Sequence, residues 1–269
     1  MNMHRMRVWV VLVGAVVVSA EPELVFKTQA FKREAPADGP GTTHVYGLAF
    51  PTPESRYPEA KRLCLERALL DVFYKTEAAS DEPDALLQLV AHDFNSDYAD
   101  FLHEFPDYRH VWEDRRSVRV LLQVPELLVI ASDHWEYTGG AHGNGGIHYT
   151  LFDLAAGAII PEERWYKLGV EGVVTAKVKA VLMKKYKASN DQELQNAGIW
   201  VKDLHPGQLF ADKDGLGMSY NPYDISPYDI SPYVMGRITV RFTFAELEPE
   251  LNPGTVLYHY LSRVYPVVE

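Results

Sequence analysis

The residues best equipped for chemistry crowd into one short stretch. Asp133, His134, Glu136, His142 and His148 supply carboxylate and imidazole groups between positions 133 and 148. These are zinc-donor types, and a zinc site takes three or four such ligands. No His-Glu-x-x-His pair fixes two of them on one helix face. Strand alternation puts His134 and Glu136 on one face, and His142 and His148 join them only if the intervening turn keeps the register. The same residues suit acid–base catalysis, with His142 or a carboxylate as proton carrier in a pocket lined by Trp135 and Tyr137. Ser132, Tyr137 and Thr138 would then be the hydroxyl nucleophiles, but spacing guarantees none of them an activating base. A third reading is structural and recognitive: the glycines let the chain turn tightly, and His142 and Asn144 satisfy exposed backbone groups beside a binding surface. On this reading no catalytic residue, metal or cofactor is expected. The binding stretch is Trp135, Tyr137, Thr138, Gly139, Gly140, Ala141, His142 and Gly143.

The elements that must position this stretch follow from the hydrophobic period. From Trp112 apolar side chains recur at every second residue through Val118, Val120, Leu122 and Val124, with Glu113, Arg115, Ser117, Arg119 and Gln123 on the other parity. That is a strand with one dry and one wet face. Leu127 to Tyr137 and Ile147 to Leu154 continue it as a three-stranded meander around the glycine turn. Upstream, Glu23–Arg33 and Thr43–Phe50 read as two strands joined by a turn at 36–41. Leu65, Leu69, Val72 and Phe73 stripe a helix from Glu59 to about Ala79, with Cys64 expected in its core face, and a second stripe runs from Leu86 to Phe105. Downstream, Val170 to Leu182 marks a third helix ending in Lys184, Lys185 and Lys187, and 190–196 a short fourth. Gln208–Phe210, Leu216–Tyr220 and Arg237–Phe244 read as strands. The expected fold class is α+β: a mostly antiparallel sheet with packed helices, in a single domain.

One oddity interrupts the C-terminal part. Pro222-Tyr223-Asp224-Ile225-Ser226 is followed by an identical Pro227-Tyr228-Asp229-Ile230-Ser231 and then Pro232-Tyr233. A five-residue period fits neither helix nor strand, and repeated proline removes ladder donors. An exposed loop is expected, with Tyr223, Tyr228 and Tyr233 as further binding candidates.

Composition sets the address and the partner class. Arg5 and Arg7 precede an apolar run, Val8–Val18, and Val18-Ser19-Ala20 offers small residues for cleavage, so residues 1–20 read as a signal peptide removed after Ala20. The formal net charge is −11, from 26 basic and 37 acidic residues. Removing 1–20 deletes basic residues only and makes the chain more acidic still. This disfavours nucleic acid and anionic membranes as partners and favours cationic ones.

Tyr137-Thr138-Gly139-Gly140-Ala141-His142-Gly143, followed by Tyr149–Leu154 and the Gly157 turn, resembles the defining segment of a bacterial extracytoplasmic domain of unknown function. That domain forms the outer part of RsiV-type anti-sigma factors and precedes the catalytic domain of PdaC-type peptidoglycan deacetylases. Asn221–Ile225 or its copy, Ser231–Gly236, Ile238–Val240 and Ala245–Leu247 extend the resemblance, which runs from about Val45 to Leu251. It implies one α+β domain over 21–251, followed by a C-terminal extension at 252–269, in a secreted or periplasmic protein of the cell envelope. In RsiV-type proteins the domain recognises lysozyme. The expected function is therefore binding of a lysozyme-like cationic protein or of peptidoglycan fragments, without catalysis, and without a membrane span once the signal is cleaved. The alternative is a peptidoglycan-directed hydrolase, with or without zinc, using the His142 region. Neither the sigma-binding segment nor the deacetylase domain is recognised here, so neither whole-protein activity carries over.

Overall fold

Strand-period patterning builds a six-stranded sheet in chain order: β1 (Phe26–Arg33), β2 (Thr42–Pro51), β3 (Trp112–Gln123), β4 (Leu127–Tyr137), β5 (Asn144–Asp153) and β6 (Ala158–Ile160). The computed structural model describes residues 24–35, 40–52, 54–75, 77–230, 234–235 and 237–266, so the expected signal peptide and Tyr233 lie outside the described residues. All neighbours are antiparallel except β2 and β3, where Thr42 lies beside Trp112 and Leu48 beside Val118 in parallel register. Parallel neighbours need a crossover. It is made by α1 (Glu59–Tyr74) and α2 (Pro83–Glu104). Pro83 opens α2 at the first turn, where its missing N–H costs nothing.

The rest of the chain covers the other side of the sheet. It comprises α3 (Glu171–Tyr186), α4 (Asp191–Asn196), β7 (Gln208–Asp212), β8 (Gly215–Tyr220), the short pair β9 (Asp229–Ile230) and β10 (Val234–Met235), β11 (Ile238–Phe242), α5 (Phe244–Leu247) and α6 (Val256–Val264). β7, β8 and β11 form a second, antiparallel sheet in the order β11-β8-β7. The fold is α+β, as the sequence leads one to expect, with one parallel pair in the large sheet. Among the described residues no helix is long and apolar enough to cross a membrane.

Two cores meet at β4. Its residues Leu127 to Ala131 are all buried, although alternate side chains point to opposite faces. Leu128 and Ile130 join Leu48, Val118 and Phe152 under Leu65, Leu69 and Phe73 of α1 and Leu86, Leu87 and Val90 of α2. Leu127, Val129 and Ala131 join Ile147, Tyr149 and Leu151 against the second sheet, α3 and α6. Each Leu, Ile, Val or Phe side chain among them, fully buried, contributes roughly 1.5–3 kcal/mol.

Several local expectations are revised. α1 stops at Tyr74, because Lys75 takes a left-handed conformation (φ 69°) and ends it. Cys64 is exposed and not part of the core. The buried stripe is Leu65, Leu69, Leu70 and Phe73, and one residue back along a helix is a rotation of about 100°. Cys64 therefore falls with Ala68, Asp71 and Lys75 on the flank of α1. The α2 stripe runs out before its end, leaving Phe105 52% exposed. Segment 222–230 is not simply an exposed loop either: Ile225 is buried in the core, and Asp229–Ile230 forms a two-residue ladder with β10.

Residues beyond 251 are integral to the second core. Thr255 caps α6 by accepting from the Tyr258 N–H, and Leu257, Tyr260 and Leu261 are buried in the same cluster as β4. Replacing Leu261 by Ala is expected to cost about 2–5 kcal/mol in urea-induced unfolding. A midpoint equal to that of the parent protein would show that α6 is an appendage.

Candidate functional site

The connection from β4 to β5 is the glycine-rich stretch. Glu136 pairs with Asn144, so residues 137–143 form the turn. Gly139 (φ +99°) and Gly140 (φ +97°) occupy the region that side chains resist. At Gly139 a Cβ would also collide with the Tyr108 hydroxyl, while Gly140 faces open space. That hydroxyl donates to Thr138 O at 3.4 Å and accepts from Trp112 Nε1 at 3.2 Å, tying the end of α2 to the hairpin. Gly143 lies so close to Trp135 that a Cβ there would strike the indole.

The expected binding residues divide between strut and surface. Tyr137 donates its hydroxyl to Gly140 O at 3.1 Å, and His142 Nδ1 donates to Gly143 O at 2.8 Å, so both groups brace the turn. Trp135 is partly buried between the Arg115 guanidinium, 4.8 Å above its ring, and Gly143. Thr138, Gly140, Ala141 and His142 are exposed. The His142 ring stacks on Tyr228, with centroids 3.9 Å apart and planes within 4°, and Tyr223 lies 6.2 Å from Tyr228.

Loop 221–228 is pinned to β5 through Asn221. β6 covers only the end of β5, leaving Ile147 with an unpaired edge. The Asn221 carboxamide accepts from Ile147 N at 2.8 Å and donates to Ile147 O at 3.0 Å, acting as a one-residue strand. In the first pentapeptide Ile225 enters the core and Tyr223 stays exposed, whereas Tyr228, the counterpart of Tyr223 in the second, covers His142.

The five metal-donor candidates do not converge. His134, Glu136 and His148 share the helix-covered face, Asp133 points to the opposite face, and His142 lies in the turn against Tyr228. Asp133 is paired with Arg119 at 2.9 Å and Arg237 at 3.7 Å. Among the described residues no three His, Cys, Asp or Glu side chains are grouped to hold a metal. Ser132 donates to the backbone at His148 O, 3.4 Å away, so its hydroxyl does not face a base.

Beneath the hairpin lies a polar network that the sequence reading overlooks. Asp114 is 0% exposed. Its carboxylate accepts from Tyr46 Oη at 2.7 Å and from Arg116 Nε at 3.1 and 3.2 Å. Tyr46 in turn meets His44 Nδ1 at 2.9 Å, and His44 Nε2 lies 3.2 Å from Asn95 of α2. His134 Nε2 is 3.4 Å from Asp114 and 3.3 Å from Glu136, without the alignment of a full hydrogen bond. Lys75 Nζ approaches His134 Nδ1 at 2.6 Å. An ammonium can only donate, so Nδ1 accepts and the ring proton sits on Nε2, toward the two carboxylates.

Burial pulls against the Asp114 carboxylate, but His134, the Arg116 charge and the Tyr46 hydroxyl outweigh it and hold the group below the ordinary carboxylate range. Burial, reinforced by Asp114, pushes the Tyr46 hydroxyl far above the usual phenol range. Burial and then the Arg116 charge lower Lys75. A signal for this network existed: Asp114 and Arg116 occupy the same strand parity as Trp112 and Val118, where a wet residue is out of place.

Two clefts open beside these groups. One, about 1310 Å³, lies between the flank of α1 and the exposed part of β4 and β5, with Lys75, Arg116, His134 and His148 along it. The other, about 580 Å³, lies under the hairpin and loop 221–228, lined by Arg115, Trp135, Tyr228 and Arg237.

A six-stranded mixed sheet sandwiched between a two-helix layer and a small antiparallel sheet defines the class of this protein by fold. No protein-family model matches the chain, and no curated protein matches it. Solved structures do match in fold. A DUF3298 family protein from Bacteroides fragilis superposes with a TM-score of 0.76 at 20% identity, covering 87% of this chain and 97% of the other. A DUF3298 family protein from Pseudomonas aeruginosa gives 0.57 at 16% identity, covering 87% and 96%. These likenesses establish the α+β fold shared with proteins described as a domain of unknown function.

Two outcomes test the site's architecture. Replacing Gly140 by Val should lower stability by about 1–3 kcal/mol, since a β-branched residue is forced to positive φ; unchanged thermal unfolding would sink this account of the turn. Replacing Asp114 by Asn should cost about 3–5 kcal/mol at neutral pH, because Arg116 loses its buried partner. The Asp114 folded pKa lies below its unfolded value near ~3.9, so its contribution is complete above that value and is lost as pH falls through the folded one. Urea midpoints followed into acid should therefore show a shallower loss for Asp114→Asn than for the parent.

Proposed function

We propose that this chain is an envelope-associated binding protein, secreted or periplasmic, that recognises a lysozyme-like cationic protein without catalysing a reaction. The observation that carries the reading is the one-signed surface beside the hairpin. No lysine or arginine occurs between Lys75 and Arg109. Along one flank of α2 stand Asp93, Asp97, Asp100 and Glu104, all exposed, and just beyond the helix come exposed Phe105 and Asp107, the latter 3.9 Å from Arg109. Tyr108 then fastens that end to Thr138 of the hairpin. An acidic helix face continuous with aromatic groups and a braced turn suits a basic partner: the charges steer the encounter, and Phe105 and the tyrosines supply desolvated contact. The sequence resemblance to the RsiV- and PdaC-type extracytoplasmic domain, and the net charge of −11, support the same partner class. The Tyr137 hydroxyl and the His142 imidazole are engaged in bracing the hairpin, which favours recognition over chemistry there.

Calorimetric titration with an animal-type lysozyme at ~0.15 M and ~0.5 M salt tests this, since the higher salt screens exposed charges strongly. The expected result is saturable binding that weakens but persists at high salt, is absent with an unrelated protein of equal positive charge, and falls about tenfold or more in Phe105→Ser or the Asp97→Lys, Asp100→Lys double variant. Binding equal to the cationic control would overturn the reading. So would silence toward lysozyme with binding of soluble peptidoglycan fragments, which would make the envelope ligand a glycan.

A further inference from the structure

The larger cleft gathers cationic groups at one end. In a chain of net charge −11, its inner end presents Lys75 and Arg116 side by side. Arg116 is held by its Nε on buried Asp114, and among the described residues its two terminal nitrogens donate no hydrogen bond to the protein. Lys75 reaches the same place from α1. It does so from a left-handed backbone conformation that a lysine does not favour, with one of its three donors directed at His134. The acids nearest on the helix side are already committed: Asp71 lies 3.0 Å and Glu77 3.6 Å from Arg67.

Beyond this basic end the cleft is apolar. Val118 and Phe152 form the floor, Ala68 and Val72 one wall, and Leu63 and Ile159 the mouth, 51% and 45% exposed. At about 1310 Å³ the space is at or above the size that encloses a drug-sized ligand. A guanidinium with both outer nitrogens free forms a fork that matches a carboxylate. Local charge favours a monoanion: Lys75 already faces Asp114 and Glu136, and Asp133 in the lining is held by Arg119 and Arg237, so one added negative charge is tolerated better than the two of a phosphate monoester.

We propose that the cleft between α1 and the β3–β5 face binds an amphiphilic carboxylate, with its head on Arg116 and Lys75 and its apolar body along Val72, Phe152, Leu63 and Ile159. This goes beyond the reading of a protein partner and does not rest on it, since it uses a different surface.

Decanoate is the probe, titrated calorimetrically into the full chain below its micelle concentration, with acetate as the head alone and decyltrimethylammonium as the same chain with the opposite charge. Decanoate is expected to bind saturably, and the other two not to. Replacing Arg116 would strand buried Asp114, so the head is tested with Lys75→Gly, which removes the ammonium and suits the positive φ. The tail is tested with Leu63→Asp at the exposed mouth. Each is expected to weaken decanoate about tenfold or more. No saturable binding of decanoate, equal binding of the cationic amphiphile or of acetate, or an affinity unchanged in both variants would each overturn the proposal.

Discussion

Strand β4 is buried on both faces over Leu127–Ala131, and the architecture on either side depends on that. A strand in this position cannot spare a polar side chain on either parity, and it holds two cores in fixed relation through a backbone of fixed pleat. Where β4 passes beyond both cores, from Ser132 to Tyr137, its side chains become partly exposed and chemically varied. Everything that could bind a ligand gathers at that emerging end: the polar network on one face, Trp135 and Asp133 on the other, and the glycine turn at the tip. A rigid strand that leaves its cores at one end is a good mount for a site, because the groups it carries inherit the precision of the packing behind them.

The buried Asp114 network is the second constraint. A carboxylate with no exposure is tolerable only when hydrogen-bonded and paired. Tyr46 and Arg116 meet that need from β2 and β3, and His44 links the group to Asn95 of α2. The network thus fastens the crossover helices to the parallel pair β2–β3 near the hairpin. The same anchoring leaves the free end of Arg116 aimed into the larger cleft, so a structural ion pair and an open recognition surface share one side chain.

The hairpin is braced from every direction. Tyr108 holds it from α2, Tyr137 and His142 hold it from within, and Tyr228 covers it from the repeat segment. A turn so supported is a fixed feature, and fixed features lose little entropy when a partner docks on them. Its tyrosines and the exposed Phe105 add apolar area beside the one-signed face of α2.

Much of the fold was legible in the chain itself. Period-two alternation marked β3, with β4 and β5 following it as a meander, and helical stripes marked α1, α2 and α3, because an element that buries one face records in its sequence which face that is. The glycine cluster marked the hairpin, since only glycine takes the backbone of Gly139 and Gly140 cheaply. What the chain could not show were relations between distant residues: that β2 and β3 pair in parallel, that Asn221 completes the edge of β5 at Ile147, or that Lys75 meets His134. Cys64 was misjudged because a stripe one residue away is a different face, and which face is covered depends on the sheet beneath. The two identical pentapeptides make the point most directly. One sequence, Pro-Tyr-Asp-Ile-Ser, leaves Tyr223 exposed in its first copy and lays Tyr228 on His142 in its second. Local composition set the chemistry available at both copies, and only the neighbours each copy meets after folding decided its role.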